Sequence, residues 1–255
     1  AEDLQGRSRG LLPVEERRAA ELLARLFPGR GDADSQKLAA AVAAVKRFAV
    51  ISGGPGTGKT YTVARILALL QALAGGRLRI GLAAPTGRAA ARLQESIGRA
   101  RQEMDSELAA PVPEQAGTLH RLLGLMPESG RFRHTRHNPL HLDLLIIDEA
   151  SMVDVPLMAA LVEALPQSAR LIMLGDRDQL TSVEAGSLFG DICGTGEPAW
   201  SPALISRISR LTGISLPGGC GSESMGDSII ILRTSYRFGE KGGIAELARL
   251  INAGD

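Results

Sequence analysis

Short apolar runs and longer amphipathic segments alternate along most of the chain. Five runs are apolar at successive positions and predict strands, at residues 48–52, 79–84, 142–148, 170–175 and 228–232. Apolar runs without alternation are typical of strands that are covered on both faces. The helical segments between them imply right-handed crossovers. The pattern therefore predicts an α/β fold, a mostly parallel sheet flanked by helices.

Helical periodicity also precedes the first predicted strand. Pro13 suits a first helical turn, and leucines at helical spacing follow it, which predicts a helix over residues 13–27. After a linker rich in Gly and Asp, a second helix is expected over 35–46. Two later stretches interrupt the alternation: 127–141 is basic and poor in strand signals, and 211–228 is rich in Gly and Ser. Both are interpreted as excursions from the core, the second as a mobile one.

Composition and charge narrow the class of protein. The 255 residues allow one large domain or two small ones, and 44% hydrophobic with 22% charged residues is ordinary for a globular protein. A net charge of +1 means that any nucleic acid would be held by local groups. Cys193 and Cys220 lack metal-type spacing and favour a reduced, cytoplasmic compartment. No apolar run suits a membrane span, and the missing initiator methionine suggests a piece of a longer protein.

The stretch GGPGTGKT directly follows the first predicted strand and precedes a helical segment. This context indicates a phosphate-binding loop, because glycines let backbone N–H groups converge on phosphate oxygens at a helix N-terminus. Lys59 would reach the β- and γ-phosphates of ATP, and the Thr60 hydroxyl would ligate Mg²⁺. The alternative is a glycine-rich turn before a helix. The predicted nucleotide-binding residues of this loop are Gly53, Gly54, Pro55, Gly56, Thr57, Gly58, Lys59 and Thr60.

Two other strand ends carry polar side chains that suit the same chemistry. The third predicted strand ends at Asp148 and Glu149, which would hold Mg²⁺ and deprotonate the attacking water, respectively. The fourth leads to Gln179, which can contact a γ-phosphate oxygen because the carboxyl ends of parallel strands share one edge. Arg237 follows the last strand and could stabilise transition-state charge. Each of these features also has an ordinary structural explanation. The two acids could be an acid pair at a strand end, Gln179 could belong to a capped turn, and Arg237 could be a surface arginine.

Further residues suggest contacts with nucleic acid. Thr86 and Arg88 follow the second predicted strand, and Thr118 and His120 lie in a similar sequence context. Such groups can hold nucleic-acid phosphates without reading sequence. Taken singly, each threonine favours a helix cap, and the histidine favours a structural role. The arginines of the basic stretch 127–141 could contact a nucleic-acid backbone or could belong to a solvated loop, and the sequence favours neither.

The order of these motifs resembles that of superfamily 1 DNA helicases. A glutamine, Gln36, precedes the phosphate loop, and APTGRAA, TLHRLLG, IIDEAS, GDRDQL and SYRFG follow it in turn. The stretches LGDRDQLTSVEAGSLFGDIC and GIAELARLINAGD are similar in particular to the RecD family, the alpha subunits of exodeoxyribonuclease V. The resemblance runs from about residue 35 to the end of the chain. It implies a RecA-like P-loop NTPase domain.

The resemblance also implies a function. Members of the family are ATP-dependent 5′-to-3′ helicases on single-stranded DNA, which act with RecB- and RecC-like subunits in double-strand-break repair and recombination. By motif, Gln36 would contact the adenine, Gln179 and Arg237 would sense the γ-phosphate, and Thr86 and Thr118 would face DNA together with His120.

The chain also departs from the family pattern. The family pattern includes a second RecA-like motor domain that is not expected within these 255 residues, so residues 31–255 would be the first motor domain and would hydrolyse ATP poorly alone. Residues 1–30 would be a helical remnant of an N-terminal region and its linker. No carboxylate cluster suits a two-metal nuclease. A nucleotide-gated module for docking partner subunits is an alternative function. A small-molecule phosphotransferase would leave Gln179 unexplained.

Overall fold

A computed structural model of the chain describes residues 2–29, 33–179, 188–194, 199–216 and 225–232. Arg237, Cys220 and the centre of the Gly- and Ser-rich stretch lie outside these residues, as does part of the linker after the helix predicted over 13–27. Among the described residues, no helix is both long enough and apolar enough to cross a membrane.

A six-stranded parallel sheet forms the centre of the described structure, and its strand order is β3-β2-β6-β7-β1-β8. The five predicted strands occupy five adjacent positions in this sheet, which confirms the α/β prediction. The sixth, β3, has two residues, too few to show a periodicity. The strands are β1 (Phe48–Gly53), β2 (Ile80–Ala84), β3 (Gly117–Thr118), β4 (Leu125–Met126), β5 (Arg131–Phe132), β6 (Leu144–Ile147), β7 (Arg170–Gly175) and β8 (Ile229–Leu232).

Helices cover both faces of the sheet. The α-helices are α1 (Glu2–Ser8), α2 (Glu16–Leu26), α3 (Ala33–Val45), α4 (Lys59–Leu73), α5 (Gly87–Gln102), α6 (Ser106–Ala109), α7 (Leu119–Leu123), α8 (Val155–Ala164), α9 (Leu188–Cys193) and α10 (Pro202–Thr212). Two short 3-10 helices span Ala150–Met152 and Met225–Ser228.

Alternate side chains of each strand enter two different hydrophobic cores. In β1, Ala49 and Ile51 belong to the core that includes α2, α3, α4 and α10. Phe48 and Val50 belong to the core on the opposite face, which includes α7, α8 and α9. Because both faces are buried, β1 is apolar at successive positions and shows no alternation.

The N-terminal region packs directly on this framework. Helix α1 was not predicted. Its Arg7 is buried and donates hydrogen bonds of 2.8–2.9 Å to the carbonyls of Leu165, Pro166 and Ala169. Helix α2 begins at Glu16, three residues after the predicted start at Pro13, and buries its leucines in the core with α4 and α10.

A small antiparallel hairpin leads into the basic stretch, with β4 directly before residue 127 and β5 within the stretch. Gly124 precedes it with a φ of +69°, and a Cβ there would lie 3.0 Å from Cβ of Arg133. Leu125 and Met126 are 40% and 37% exposed. Within residues 127–141 only the two residues of β5 form a strand, in agreement with the prediction that this stretch is poor in strands.

Candidate nucleotide-binding site

Three neighbouring strands bring the predicted site residues to one edge of the sheet. Strand β7 lies between β6 and β1, with Met173 level with Ile147 and Gly175 level with Ser52. The residues that follow these strands are therefore level with one another at the carboxyl edge. They comprise the acid pair after β6, the turn after β7 and the glycine loop after β1. This is the edge at which ligands of open parallel sheets bind.

The glycine loop requires glycine at defined positions. A Cβ on Gly53 would lie 2.6 Å from Oγ1 of Thr57 and 3.0 Å from Cβ of Leu232 in the neighbouring strand. Gly56 and Gly58 have φ values of +81° and +78°, in the left-handed region that favours glycine. Helix α4 begins immediately after Gly58, so its free N–H groups lie at the loop.

Lys59 lies against its own loop. Its Nζ donates to the carbonyl oxygen of Gly53 and, at 3.2 Å, to that of Gly54. The Thr57 hydroxyl donates to the same Gly54 carbonyl at 2.9 Å. The buried Gln36 contacts the loop from α3, where its Nε2 donates to the Thr57 carbonyl at 3.4 Å. A phosphate bound in this loop would compete with backbone carbonyls for the Lys59 ammonium.

Asp148 lies in surroundings that disfavour its charge. Burial raises the pKa of its carboxyl to about 6, and the nearby Glu149 carboxylate acts in the same direction. The Glu149 N–H, which donates to Asp148 Oδ1 at 3.0 Å, and the charge of Lys59 oppose this rise in pKa. A divalent cation would favour the ionised carboxylate. Mg²⁺ usually binds few protein groups together with phosphates and water, so a carboxylate and a hydroxyl suit it chemically, and Thr60 with Asp148 stays the predicted ligand pair.

Glu149 has a strained backbone. Its φ of 53° and ψ of 39° are left-handed, and it is the only non-glycine residue with a positive φ among those the structure describes. The following 3-10 helix is closed by Met152 N–H donating to the Glu149 carbonyl at 3.0 Å. Such strain costs about 1–2 kcal/mol per residue and is concentrated at functional sites.

The turn after β7 is fixed to the end of β1. The backbone N–H of Arg177 donates to the buried Ser52 hydroxyl at 3.1 Å. Asp176 is 5% exposed, and its Oδ1 accepts from Asp178 N–H at 3.1 Å. Gln179 is exposed at this edge, and its N–H donates to the Asp176 carbonyl at 3.4 Å.

Asp176 and Ser52 were not among the site residues predicted from the sequence. Oδ2 of Asp176 lies 3.9 Å from the position of a Cβ on Gly54, so the carboxylate adjoins the phosphate loop. The available signal was its position directly after a buried strand. No sequence signal identified the backbone strain of Glu149.

The predicted DNA-side residues lie at the carboxyl edge beyond β6. Thr86 caps α5, where its Oγ1 accepts from Ala89 N–H at 3.2 Å, and Thr118 caps α7 in the same way. Arg88 and His120 are exposed. The His120 ring centroid lies 6.2 Å from that of Phe132 in the hairpin. Both threonines are therefore helix caps, and contact of this group with DNA stays a prediction.

The chain is similar to known proteins over most of its length. The family model for the AAA domain matches residues 36–185, more than half of the chain. The RecBCD enzyme subunit RecD of Haemophilus influenzae is 41% identical over 239 residues, covering 91% of this chain and 37% of that protein. The RecBCD enzyme subunit RecD of Mycobacterium tuberculosis is 44% identical over 238 residues, covering 91% and 36%, respectively.

A shorter match is also found. The ATP-dependent RecD2 DNA helicase of Deinococcus radiodurans is 44% identical over 140 residues, covering 55% of this chain and 17% of that protein. The chain spans little more than a third of the length of the RecD subunits it matches. Membership of the matched family implies nucleotide binding, and the predicted RecA-like P-loop fold is confirmed. The chain therefore belongs to the AAA-domain family, and the resemblance to RecD that its motifs predict is confirmed.

Proposed function

We propose that this chain is the ATP-binding first motor domain of an ATP-dependent DNA helicase subunit of the RecD type. The observation that carries the proposal is the parallel register of β6, β7 and β1, which sets the acid pair, the Gln179 turn and the glycine loop at one edge. The similarity to RecD subunits and to a RecD2 helicase supports the same activity.

ATP would bind with its phosphates in the glycine loop. The loop amides and the N-terminus of α4 would donate to phosphate oxygens, and Lys59 would exchange its carbonyl partners for the β- and γ-phosphates. Gln36 would contact the adenine. Thr60 and Asp148 would hold Mg²⁺, which when bound neutralises charge on the phosphates.

The remaining residues would act on the terminal phosphate. Glu149 would accept the proton of the attacking water, because a carboxylate at this edge can serve as a general base. Gln179 would hydrogen-bond a γ-phosphate oxygen and so respond to hydrolysis. Arg237, which lies outside the described residues, would stabilise the charge that develops on the transferred phosphate.

DNA and protein partners belong to the same proposal. Single-stranded DNA would cross the edge at Thr86, Arg88, Thr118 and His120, and translocation would run 5′ to 3′. RecB- and RecC-like subunits would complete a cytoplasmic complex for double-strand-break repair. In this organisation residues 31–255 form the motor domain, and 1–30 belong to an N-terminal region.

The direct test compares two lysines in the full-length protein. Lys59→Met should lower the kcat of DNA-stimulated ATP hydrolysis by at least about 100-fold, because it removes a positive charge from the phosphates. Lys37→Met is the matched control, since Lys37 donates to the Thr212 carbonyl between α3 and the end of α10. Hydrolysis that single-stranded DNA does not stimulate would contradict a translocating motor.

The docking module makes a different prediction for the same variant. If nucleotide binding only gates assembly, Lys59→Met should abolish binding of the partner subunits. The helicase proposal expects the complex to assemble and strand separation to be lost. Co-purification of the subunits, followed by an unwinding assay, separates the two outcomes.

A further inference from the structure

Ser151 has a buried hydroxyl without a hydrogen-bond partner. It lies in the 3-10 helix Ala150–Met152, two residues after Glu149, and within the described part of the chain no group bonds its Oγ. An unpaired buried hydroxyl costs about 1–3 kcal/mol. Such a group therefore suggests a partner that reaches it in another state of the protein.

The side chain of Glu149 also lacks a bonding partner among the described residues, although its backbone is bonded. Its N–H donates to Asp148 and its carbonyl accepts from Met152 N–H, so the backbone is well bonded. Its carboxylate forms no hydrogen bond or ion pair with any residue that the structure describes. An ionised carboxylate has two acceptor oxygens, so one can receive the proton of a water while a donor bound to the other holds the group in place. The nearest hydroxyl along the chain is that of Ser151.

The surroundings hold this 3-10 helix in place. The helix packs against β7 and α9. The ring of Phe189 in α9 covers the last residue of β7, where a Cβ on Gly175 would lie 2.8 Å from the ring. Ala150 and Val153, on either side of Ser151, are buried in the core with Phe189. The chain on either side of Ser151 is thus held in the core, and the position of its hydroxyl is set by the rotamer about χ1.

We propose that Ser151 is a positioning residue for Glu149, its hydroxyl donating to the Glu149 carboxylate when nucleotide is bound and orienting it toward the attacking water. This rests on the proposed ATP hydrolysis. The left-handed backbone of Glu149 is consistent with a residue that changes conformation there, since such strain is stored where a second state relieves it. The Ser151 hydroxyl keeps its proton throughout, and Glu149 takes the proton of the water.

Ser151→Ala in the full-length protein tests this directly. We expect kcat for DNA-stimulated ATP hydrolysis to fall about fivefold or more, with KM for ATP changed less than about twofold, because one orienting hydrogen bond is lost only after binding. The melting temperature of the nucleotide-free protein should not fall, since the hydroxyl has no partner in that state. Ser151→Thr keeps a hydroxyl and should retain most of kcat.

Ser168→Ala is the matched control. Ser168 is exposed in the turn before β7, at the opposite edge of the sheet, and its replacement should leave kcat and melting temperature unchanged. Wild-type kcat in Ser151→Ala would overturn the positioning role and leave the proposed function intact. A lower melting temperature without nucleotide, in Ser151→Ala, would show a structural role instead. A wild-type protein that does not hydrolyse ATP would refute the proposed function itself.

Discussion

Asp143 and Asp148 flank the four-residue strand β6, and their surroundings shift their pKa values in opposite directions. Asp143, at the amino edge, accepts hydrogen bonds from Arg79 N, Nε and Nη2 at 2.8–2.9 Å, and these lower its pKa to about 2. At the carboxyl edge, burial raises the pKa of Asp148 to about 6. The surroundings therefore stabilise the charged carboxylate of Asp143 at one end of the strand and disfavour the charged carboxylate of Asp148 at the other.

The same contrast extends along both edges of the sheet. At the amino edge, the buried Lys46 donates to the Ser8 carbonyl at 3.0 Å and lies 3.5 Å from Asp227. Asp227 also accepts from the N–H and hydroxyl of Ser201, at 2.6 and 2.8 Å. Arg170 donates to three carbonyls at and just after the C-terminal end of α3. Protein groups thus pair the buried charges where the strands begin.

The carboxyl edge is built differently. Among the described residues, the Lys59 ammonium donates only to backbone carbonyls of its own loop, and the backbone of Glu149 is strained. Strained or poorly paired groups of this kind are expected at functional sites, where a bound ligand supplies the missing contacts. The difference indicates that the amino edge supports the fold and the carboxyl edge supports the chemistry.

The largest expected effect is on hydrolysis. Glu149→Gln should reduce kcat about a thousandfold, because an amide cannot accept the water proton, while the free energy of unfolding stays unchanged. Steady-state kinetics and urea denaturation measure the two quantities. Glu163→Gln, an exposed change in α8, is the control. A large loss of stability in Glu149→Gln would assign this glutamate to the fold instead.

At the amino edge the loss should fall on stability. Lys46→Met leaves Asp227 charged and buried without its cation, which should lower the free energy of unfolding by about 3–5 kcal/mol. Lys37→Met removes one partly buried hydrogen bond to the Thr212 carbonyl and should cost about 1 kcal/mol. Urea denaturation measures both free energies of unfolding. If the two variants lose the same amount, the amino edge has no special role in stability.

The two aspartates should give pH dependences of opposite sign. An unfolded aspartate has a pKa near 4, so between about 4 and 6 Asp148 binds more protons in the folded state. Its contribution therefore makes the free energy of unfolding decrease as pH rises across that window, and Asp148→Asn should abolish this decrease. Asp143 contributes stability above about pH 4, which is lost as pH falls toward about 2. Denaturation curves of each asparagine variant measure both slopes, and slopes of the same sign would contradict the contrast.

The smallest effect concerns the strained backbone. Glu149→Gly should raise the free energy of unfolding by about 1 kcal/mol, because glycine adopts a φ of 53° without strain. Glu163→Gly should lower it by about 1 kcal/mol, since Glu163 lies within the helix α8. Thermal unfolding compares the pair. If glycine destabilises both positions equally, the left-handed conformation of Glu149 stores no strain.

The sequence predicted the elements whose patterns extend over four or more consecutive residues. Five strands and the glycine loop were identified because buried parallel strands and a phosphate loop have strong local signatures. Helix α1 was missed because its docking depends on Arg7, whose partners lie about 160 residues away. The roles of Ser52 and Asp176 likewise depend on strand register. The strain at Glu149 could not be predicted, because a glutamate in a sequence does not indicate a positive φ.

The central claim is that the carboxyl ends of β1, β6 and β7 enclose one Mg²⁺-bound nucleoside triphosphate. A crystal structure of the full-length protein with Mg²⁺ and a non-hydrolysable ATP analogue tests it most directly. We predict that Lys59 Nζ leaves the Gly53 and Gly54 carbonyls to lie about 3 Å from a γ-phosphate oxygen, with Mg²⁺ held by Thr60 and Asp148. A triphosphate bound elsewhere, with Lys59 still on those carbonyls, would contradict the claim.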